Sequence, residues 1–322
     1  MILELLQSYS KGKVMVIGDL MLDRYLFGEI NRKSAEAPID IVDVNTKLEQ
    51  VGGAANVALS LKNIKTNVFL FGLIGNDYEG NKILSILKKN KIKTSGIFKN
   101  KQTTIKTRII TSKSKHHSRF DIEKINYNHT IEKKTLLKKI KLHIPEIDFI
   151  IIQDYNKGLL DKTMIKSILS TAKKHNKAVM VDPKEKNFIE YKKVKLIKPN
   201  LKEAELFLNQ KIKLNNKSLK KACEEIRIKT KSDWIILTLG KKGLCIFNNG
   251  NFYRQNGQKK INPDVTGAGD NVICISSLLV HLNLPINKIA EISNESGALS
   301  CDKIGTNPIN LNELLTKLEN NN

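Results

Sequence analysis

The segment Asp264-Val-Thr-Gly-Ala-Gly-Asp270 combines two close glycines, two carboxylates and an apolar helical run behind it (Val272, Ile273, Ile275, Leu279). Gly267 and Gly269 let a backbone turn tightly and approach a ligand with no Cβ in the way. The N–H groups of Ala268, Gly269 and Asp270 would then open a helix. Such an end favours anions and suits charge developing on a transferred phosphoryl group. Asp270, in the first turn, is placed to accept a proton from an attacking hydroxyl. The same residues also suit a plain glycine turn with an aspartate as helix cap. Spacing alone leaves both readings open.

Other residues of the same kind lie further towards the N-terminus. Asp19 closes an apolar run, Val14 to Gly18, and Asp23 follows four residues later. Ligands gather where the strands of a parallel sheet end, so carboxylates there are binding candidates. Gly52 and Gly53 open a helical run with Asn56 one turn in, suited to ligand contact or to close packing. Asn200 and Glu203 have the spacing of a capping box at another helix start. Thr238-Leu-Gly-Lys-Lys-Gly243 puts Gly240 and Gly243 in a turn between two strands.

Positioning these residues needs a scaffold of alternating strands and helices. Strands are expected at Val14 to Gly18, Asn67 to Gly72, Phe149 to Gln153, Ala178 to Val181, Lys195 to Lys198, Trp234 to Leu239 and Leu244 to Phe247. Helices are expected from Gly53 to Lys65, Glu79 to Lys89, Asp161 to His175, and from Gly267 and Asn287. This order predicts an α/β fold with a mostly parallel central sheet flanked by helices. Pro38 to Val44 and Thr104 to Thr111 instead alternate apolar and polar residues. They read as half-solvated antiparallel strands of a small β lid, inserted at about 38–45 and 104–122.

The length admits one large α/β domain or two ordinary ones, and the expectation is a single domain over residues 1–322. No stretch approaches the roughly 20 apolar residues of a membrane span. The first ten residues carry Glu4 and no basic segment, so they do not read as a signal peptide and the cytoplasm is the expected location. Cys223, Cys245, Cys274 and Cys301 form no CxxC pair, which argues for reduced thiols. The net charge of +23 suggests an anionic partner. No basic stripe interleaved with aromatics is present, so phosphate-bearing small molecules are favoured over nucleic acid.

Five elements in order decide between the open readings. Gly18-Asp19 with Asp23, Gly52-Gly53-Ala-Ala-Asn56, Lys198-Pro-Asn200-Leu-Lys-Glu203, Thr238-Leu-Gly240-Lys-Lys-Gly243 and the Asp264 to Asp270 segment together resemble the ribokinase-like (PfkB) carbohydrate kinases. Four further segments narrow the resemblance: Gly18 to Tyr25, Ser34 to Pro38, Asp154 to Gly158 and Asp182 to Lys184. They are similar to the heptose-phosphate kinases of lipopolysaccharide synthesis within that family. Those enzymes phosphorylate D-glycero-β-D-manno-heptose 7-phosphate at the C1 hydroxyl, giving the 1,7-bisphosphate.

The resemblance implies roles. Asp270 would be the catalytic base, with Gly267, Ala268 and Gly269 as anion hole. Asn200, Leu201, Lys202, Glu203, Thr238, Gly240 and Gly243 would meet ATP, and Glu203 would hold Mg²⁺ through water. Asp19, Asp23, Gly52, Gly53 and Asn56 would bind the sugar. Lys106, Arg108, Lys157 and Lys184 are the candidates for its existing phosphate. A monovalent-cation site beside the anion hole, a homodimer joined through the lids, and a separate nucleotidyltransferase are further expectations. No H-x-G-H nucleotide-transfer motif occurs in the chain. Rival readings are a kinase of another sugar or sugar phosphate, and a basic nucleic-acid-binding protein on the same fold.

Overall fold

In the computed structural model, residues 9–100, 102–111, 114–123, 131–258 and 264–320 are described. Lys13–Gly18 (β1) is an interior strand of the main sheet, and its five residues after Lys13 are all buried and leave no polar face. Asn67–Gly75 (β4) and Ile97–Asn100 (β5) extend the sheet in parallel on one side. On the other side lie Phe149–Gln153 (β8), Ala178–Asp182 (β9), Leu196–Ile197 (β10) and Trp234–Thr238 (β11), also parallel. Gly243–Asn248 (β12) and Asn251–Asn256 (β13) close that side as antiparallel hairpin strands. The nine-stranded order is β13-β12-β11-β10-β9-β8-β1-β4-β5. The chain order therefore reverses between β1 and β8, the kind of switch point where α/β sheets bind ligands.

Alternation along β1 divides the interior. Val14 and Val16 join one core with the helices Ala54–Asn63 (α1), Tyr78–Lys89 (α2), Ala268–His281 (α7), Ile286–Ser300 (α8) and Leu311–Asn320 (α9). Met15 and Ile17 face the other core, with Ile131–His143 (α3), Lys162–Lys174 (α4), Leu201–Leu208 (α5) and Asn216–Thr230 (α6). The side-chain period of two in a strand requires both faces to be covered here. The four cysteines are free thiols.

The lid is larger than the alternation suggested. It is a four-stranded sheet in the order Asp40–Gly53 (β3), Leu20–Lys33 (β2), Thr104–Thr111 (β6) and Ser114–Ile122 (β7). Reading β1 as stopping at Asp19 hid β2, which starts one residue later and runs outward for 14 residues. Its first four residues are buried, so they carry no period-two signal. The expected antiparallel pairing holds for β3 with β2 and for β7 with β6, but β6 pairs with β2 in parallel, from Met21 opposite Thr104 to Gly28 opposite Thr111. Strands β5 and β13 and helices α3, α6 and α9 also went unread, and of α5 only the capped start was read.

Candidate active site

Asp270 sits in the first turn of α7 and is buried, at 1% exposure. Its carboxylate accepts three hydrogen bonds: from Gln153 Nε2 (2.9 Å) and Tyr155 Oη (2.8 Å) on Oδ1, and from Asn56 Nδ2 (2.9 Å) on Oδ2. A carboxylate offers about four acceptor positions. One therefore remains on Oδ2. Burial pushes the Asp270 carboxyl up to about 6, against the hydrogen bonds from Asn56 and Tyr155, which favour the charged form. The result is a base charged at neutral pH and more basic than an ordinary aspartate.

The turn before it is held from below. Asp264 Oδ1 accepts from the Thr266 amide (3.0 Å) and hydroxyl (2.7 Å), and Oδ2 accepts from the Gly305 amide (2.9 Å). Gly267 then adopts φ +79°, a left-handed conformation that a side chain would strain. The anion hole is narrower than the sequence suggested. The Ala268 N–H is already given to the Val265 carbonyl at 3.3 Å. Among the described residues no acceptor takes the N–H of Gly269 or Asp270, and these two open the helix. Beside them stands a cation that sequence reasoning missed. Lys198 Nζ lies 3.5 Å from where a Cβ on Gly269 would be, and 3.0 Å from Asp182 Oδ2, both side chains being largely buried.

The N-terminal aspartates are organising residues as well as candidate sugar ligands. Asp19 Oδ2 accepts from the backbone N–H of Tyr155 (2.9 Å) and Lys157 (3.1 Å), so it pins the loop after β8. Burial raises its carboxyl while those amides pull it down, and burial wins. Asp23 Oδ1 pairs with Arg108 at 2.5 Å, with both groups buried. The Gly52-Gly53 pair follows from the same two residues, through the Asp23 carboxylate and the Asp19 backbone carbonyl. A Cβ on Gly52 would meet Asp23 Oδ2 at 2.1 Å, and one on Gly53 would meet the Asp19 carbonyl at 2.4 Å.

Four cations were candidates for the substrate's phosphate, and three are already neutralised. Arg108 is held by Asp23, Lys157 by Glu123 at 2.5 Å, and Lys184 by Glu203. For Lys184 burial works against the ammonium, but Asp182 and Glu203 outweigh it and raise its pKa. Lys106 differs. Its Nζ lies 4.6 Å from the centre of the Tyr155 ring, and among the described residues no carboxylate pairs with it. Burial pushes its pKa below that of an ordinary lysine, with Asp23 partly opposing.

At the other end of the cleft, Asn200 and Glu203 form the expected capping box of α5. Glu203 has one oxygen on Lys184 and the other on the Asn200 N–H (2.8 Å). With both oxygens engaged, it suits a metal ion through water better than by direct ligation. Among the described residues no group of three or more His, Cys, Asp or Glu is placed to hold a metal. Leu201 is half-buried and Lys202 exposed on α5, beside Thr238, whose backbone bridges to Asn200. Gly240 is exposed with open space at its Cβ position, so a ligand could come close there. Gly243 is buried against the Gln255 carbonyl and serves the hairpin.

Gln153, Tyr155, Asp182 and Lys198 complete the site, and sequence reasoning did not select them for it. The signal available was position: Gln153 and Asp182 end neighbouring strands, opposite each other in register.

A buried carboxylate at a helix start, two open amides and a lysine beside them suit phosphoryl transfer to an alcohol group. Residues 11–313 match the pfkB family of carbohydrate kinases, and the chain belongs to that family. The bifunctional protein HldE of Helicobacter pylori (strain G27) is 36% identical over 304 residues, covering 94% of this chain and 65% of that protein. HldE of Aliarcobacter butzleri (strain RM4018) is 33% identical over 307 residues, covering 95% and 64%. The chain thus spans about two thirds of the length of these relatives. Phosphofructokinase-2 from Escherichia coli, in complex with substrates and products, shares the fold with a TM-score of 0.79 at 16% identity, over 95% of this chain and 97% of that one. A putative sugar kinase from Clostridium perfringens gives 0.73 at 18%, over 96% of each. Family membership implies ATP as phosphoryl donor and usually Mg²⁺. No helix among the described residues is long and apolar enough to cross a membrane.

Proposed function

We propose that this kinase phosphorylates D-glycero-β-D-manno-heptose 7-phosphate at the C1 hydroxyl, giving the 1,7-bisphosphate. The relatives at 33–36% identity support the heptose. The observation that carries a phosphorylated sugar is Lys106. A half-buried ammonium without a carboxylate partner is stabilised when an anion joins it. It lies over Tyr155, whose hydroxyl touches Asp270, and Asp23 is the strongest charge acting on it, which supports an anion carried by the acceptor.

In this reading the sugar lies between the lid and the end of β1, with its reacting hydroxyl on the remaining position of Asp270 Oδ2. Asp270 takes the hydroxyl proton as the oxygen attacks the γ-phosphorus in line. The Gly269 and Asp270 amides and the Lys198 ammonium stabilise charge on the transferred group. Glu203 and Asn200 would hold Mg²⁺ through water, and the ion would supply charge neutralisation to the nucleotide phosphates. Lys184, tied to Glu203 and 5.3 Å from the centre of the Tyr155 ring, stands between the acceptor and the nucleotide. A monovalent cation between the Asp264 turn and the Gly305 loop belongs to this reading, as does cytoplasmic ATP. The lid exposes Ile39, Val44, Phe120 and Ile122, apolar area that a homodimer joined through the lids would cover.

Lys106→Met tests the proposal. Loss of a charge-assisted phosphate contact of about 2 kcal/mol raises KM for heptose 7-phosphate about 30-fold. KM for ATP is expected to stay within about twofold. Unphosphorylated heptose should be as poor a substrate for the variant as for the wild type. Equal use of both sugars by the wild-type enzyme, or a preference for fructose 6-phosphate, would refute the substrate assignment.

A further inference from the structure

Of the three donors on Asp270, Gln153 alone reaches a second carboxylate. Its Nε2 is 2.9 Å from Asp270 Oδ1 and 3.0 Å from Asp182 Oδ2. An amide nitrogen carries two hydrogens, so one NH₂ group serves two anions. The side chain springs from the last residue of β8, which is paired with Gly18 on one side and Asp182 on the other. Its root is therefore fixed at the switch point of the sheet. The other half of the amide is unmatched: Gln153 Oε1 is buried and has no hydrogen-bond partner, and the same holds for Asn56 Oδ1. A buried acceptor without a donor destabilises the fold unless a ligand supplies one.

We propose that Gln153 is a positioning and specificity residue. Its NH₂ group holds Asp270 and Asp182 in fixed relation, and its Oε1 receives a sugar hydroxyl vicinal to the one that reacts. Only glutamine meets both demands at this position. Glutamate would set a third carboxylate between two others, asparagine is one methylene short, and methionine can neither donate nor accept strongly. The acceptor class follows: a vicinal diol, whose second hydroxyl is recognised beside the first. This rests on the carbohydrate-kinase site and not on which sugar is used.

Two variants and two readouts test it. In Gln153→Met, the Asp270 carboxyl, followed by ¹³C NMR in free enzyme labelled at aspartate, should titrate about one unit higher than in the wild type, because the ionised form has lost a donor. In Gln153→Glu, which keeps the shape should methionine disturb folding, it should titrate higher still. With sugar, Gln153→Met should lower kcat/KM about 30-fold or more, while KM for ATP changes less than twofold. An unmoved Asp270 titration in both variants, with only a lower melting temperature, would reduce Gln153 to a packing residue and overturn the proposal. The titration uses no sugar, so it stands or falls apart from the heptose assignment.

Discussion

Asp270→Asn is expected to lower kcat about 10³-fold while leaving the affinities for ATP and sugar nearly unchanged. The substitution keeps volume and one acceptor oxygen, so Gln153 and Tyr155 retain their bonds. Asn56 now faces an amide, but its own unmatched Oδ1 can turn to meet it. The fold therefore survives and the loss reads chemistry. General-base contributions of 10²–10⁴ set the size of the effect. The wild-type pH profile carries the same signature. With the Asp270 carboxyl near 6, kcat/KM should fall about tenfold per unit below pH 6 and level off above about 7. In Asp270→Asn that acid limb should vanish. A kcat within tenfold of wild type would remove Asp270 as the base.

Lys198→Met should cost about 10²–10³ in kcat for a different reason. The ammonium stands over Gly269, where the proposed reaction places the transferred group, and among the described residues its ion-pair partner is Asp182. Removing one fixed charge-stabilising group from such a site typically costs that much. It also leaves Asp182 buried and without its ion pair, a loss of about 3–5 kcal/mol in stability. The two effects separate in the double variant Lys198→Met with Asp182→Asn. Thermal stability should largely return, since no buried charge is left alone, whereas turnover should stay low. Recovery of turnover together with stability would make Lys198 a structural counter-ion only.

The glycine-aspartate segment was legible because its demands are local. Gly267 needs a left-handed turn, Asp270 follows within one helical turn, and an apolar run declares the helix. The main sheet was legible for a similar reason, as apolar strands ending in polar residues mark its edge. Strand β2 was not, since its buried start carries no alternation and continues β1 after a single residue. Pairing was also beyond reach. Nothing near Arg108 in the sequence announces Asp23, 85 positions away, and nothing near Lys157 announces Glu123. Which lysine stays unpaired is decided by tertiary contacts. A chain with 55 Lys and Arg gives no clue to it. Gln153 was missed because an uncharged residue ending an apolar strand reads as packing until its two carboxylate partners are seen.

The most direct measurement is ³¹P NMR of the product formed from heptose 7-phosphate and ATP by the wild-type enzyme. A new phosphomonoester coupled to the C1 proton, formed one-for-one with ADP, is the expected result. Phosphate on any other carbon, or ADP released with no new ester, would contradict a C1 hydroxyl held against Asp270.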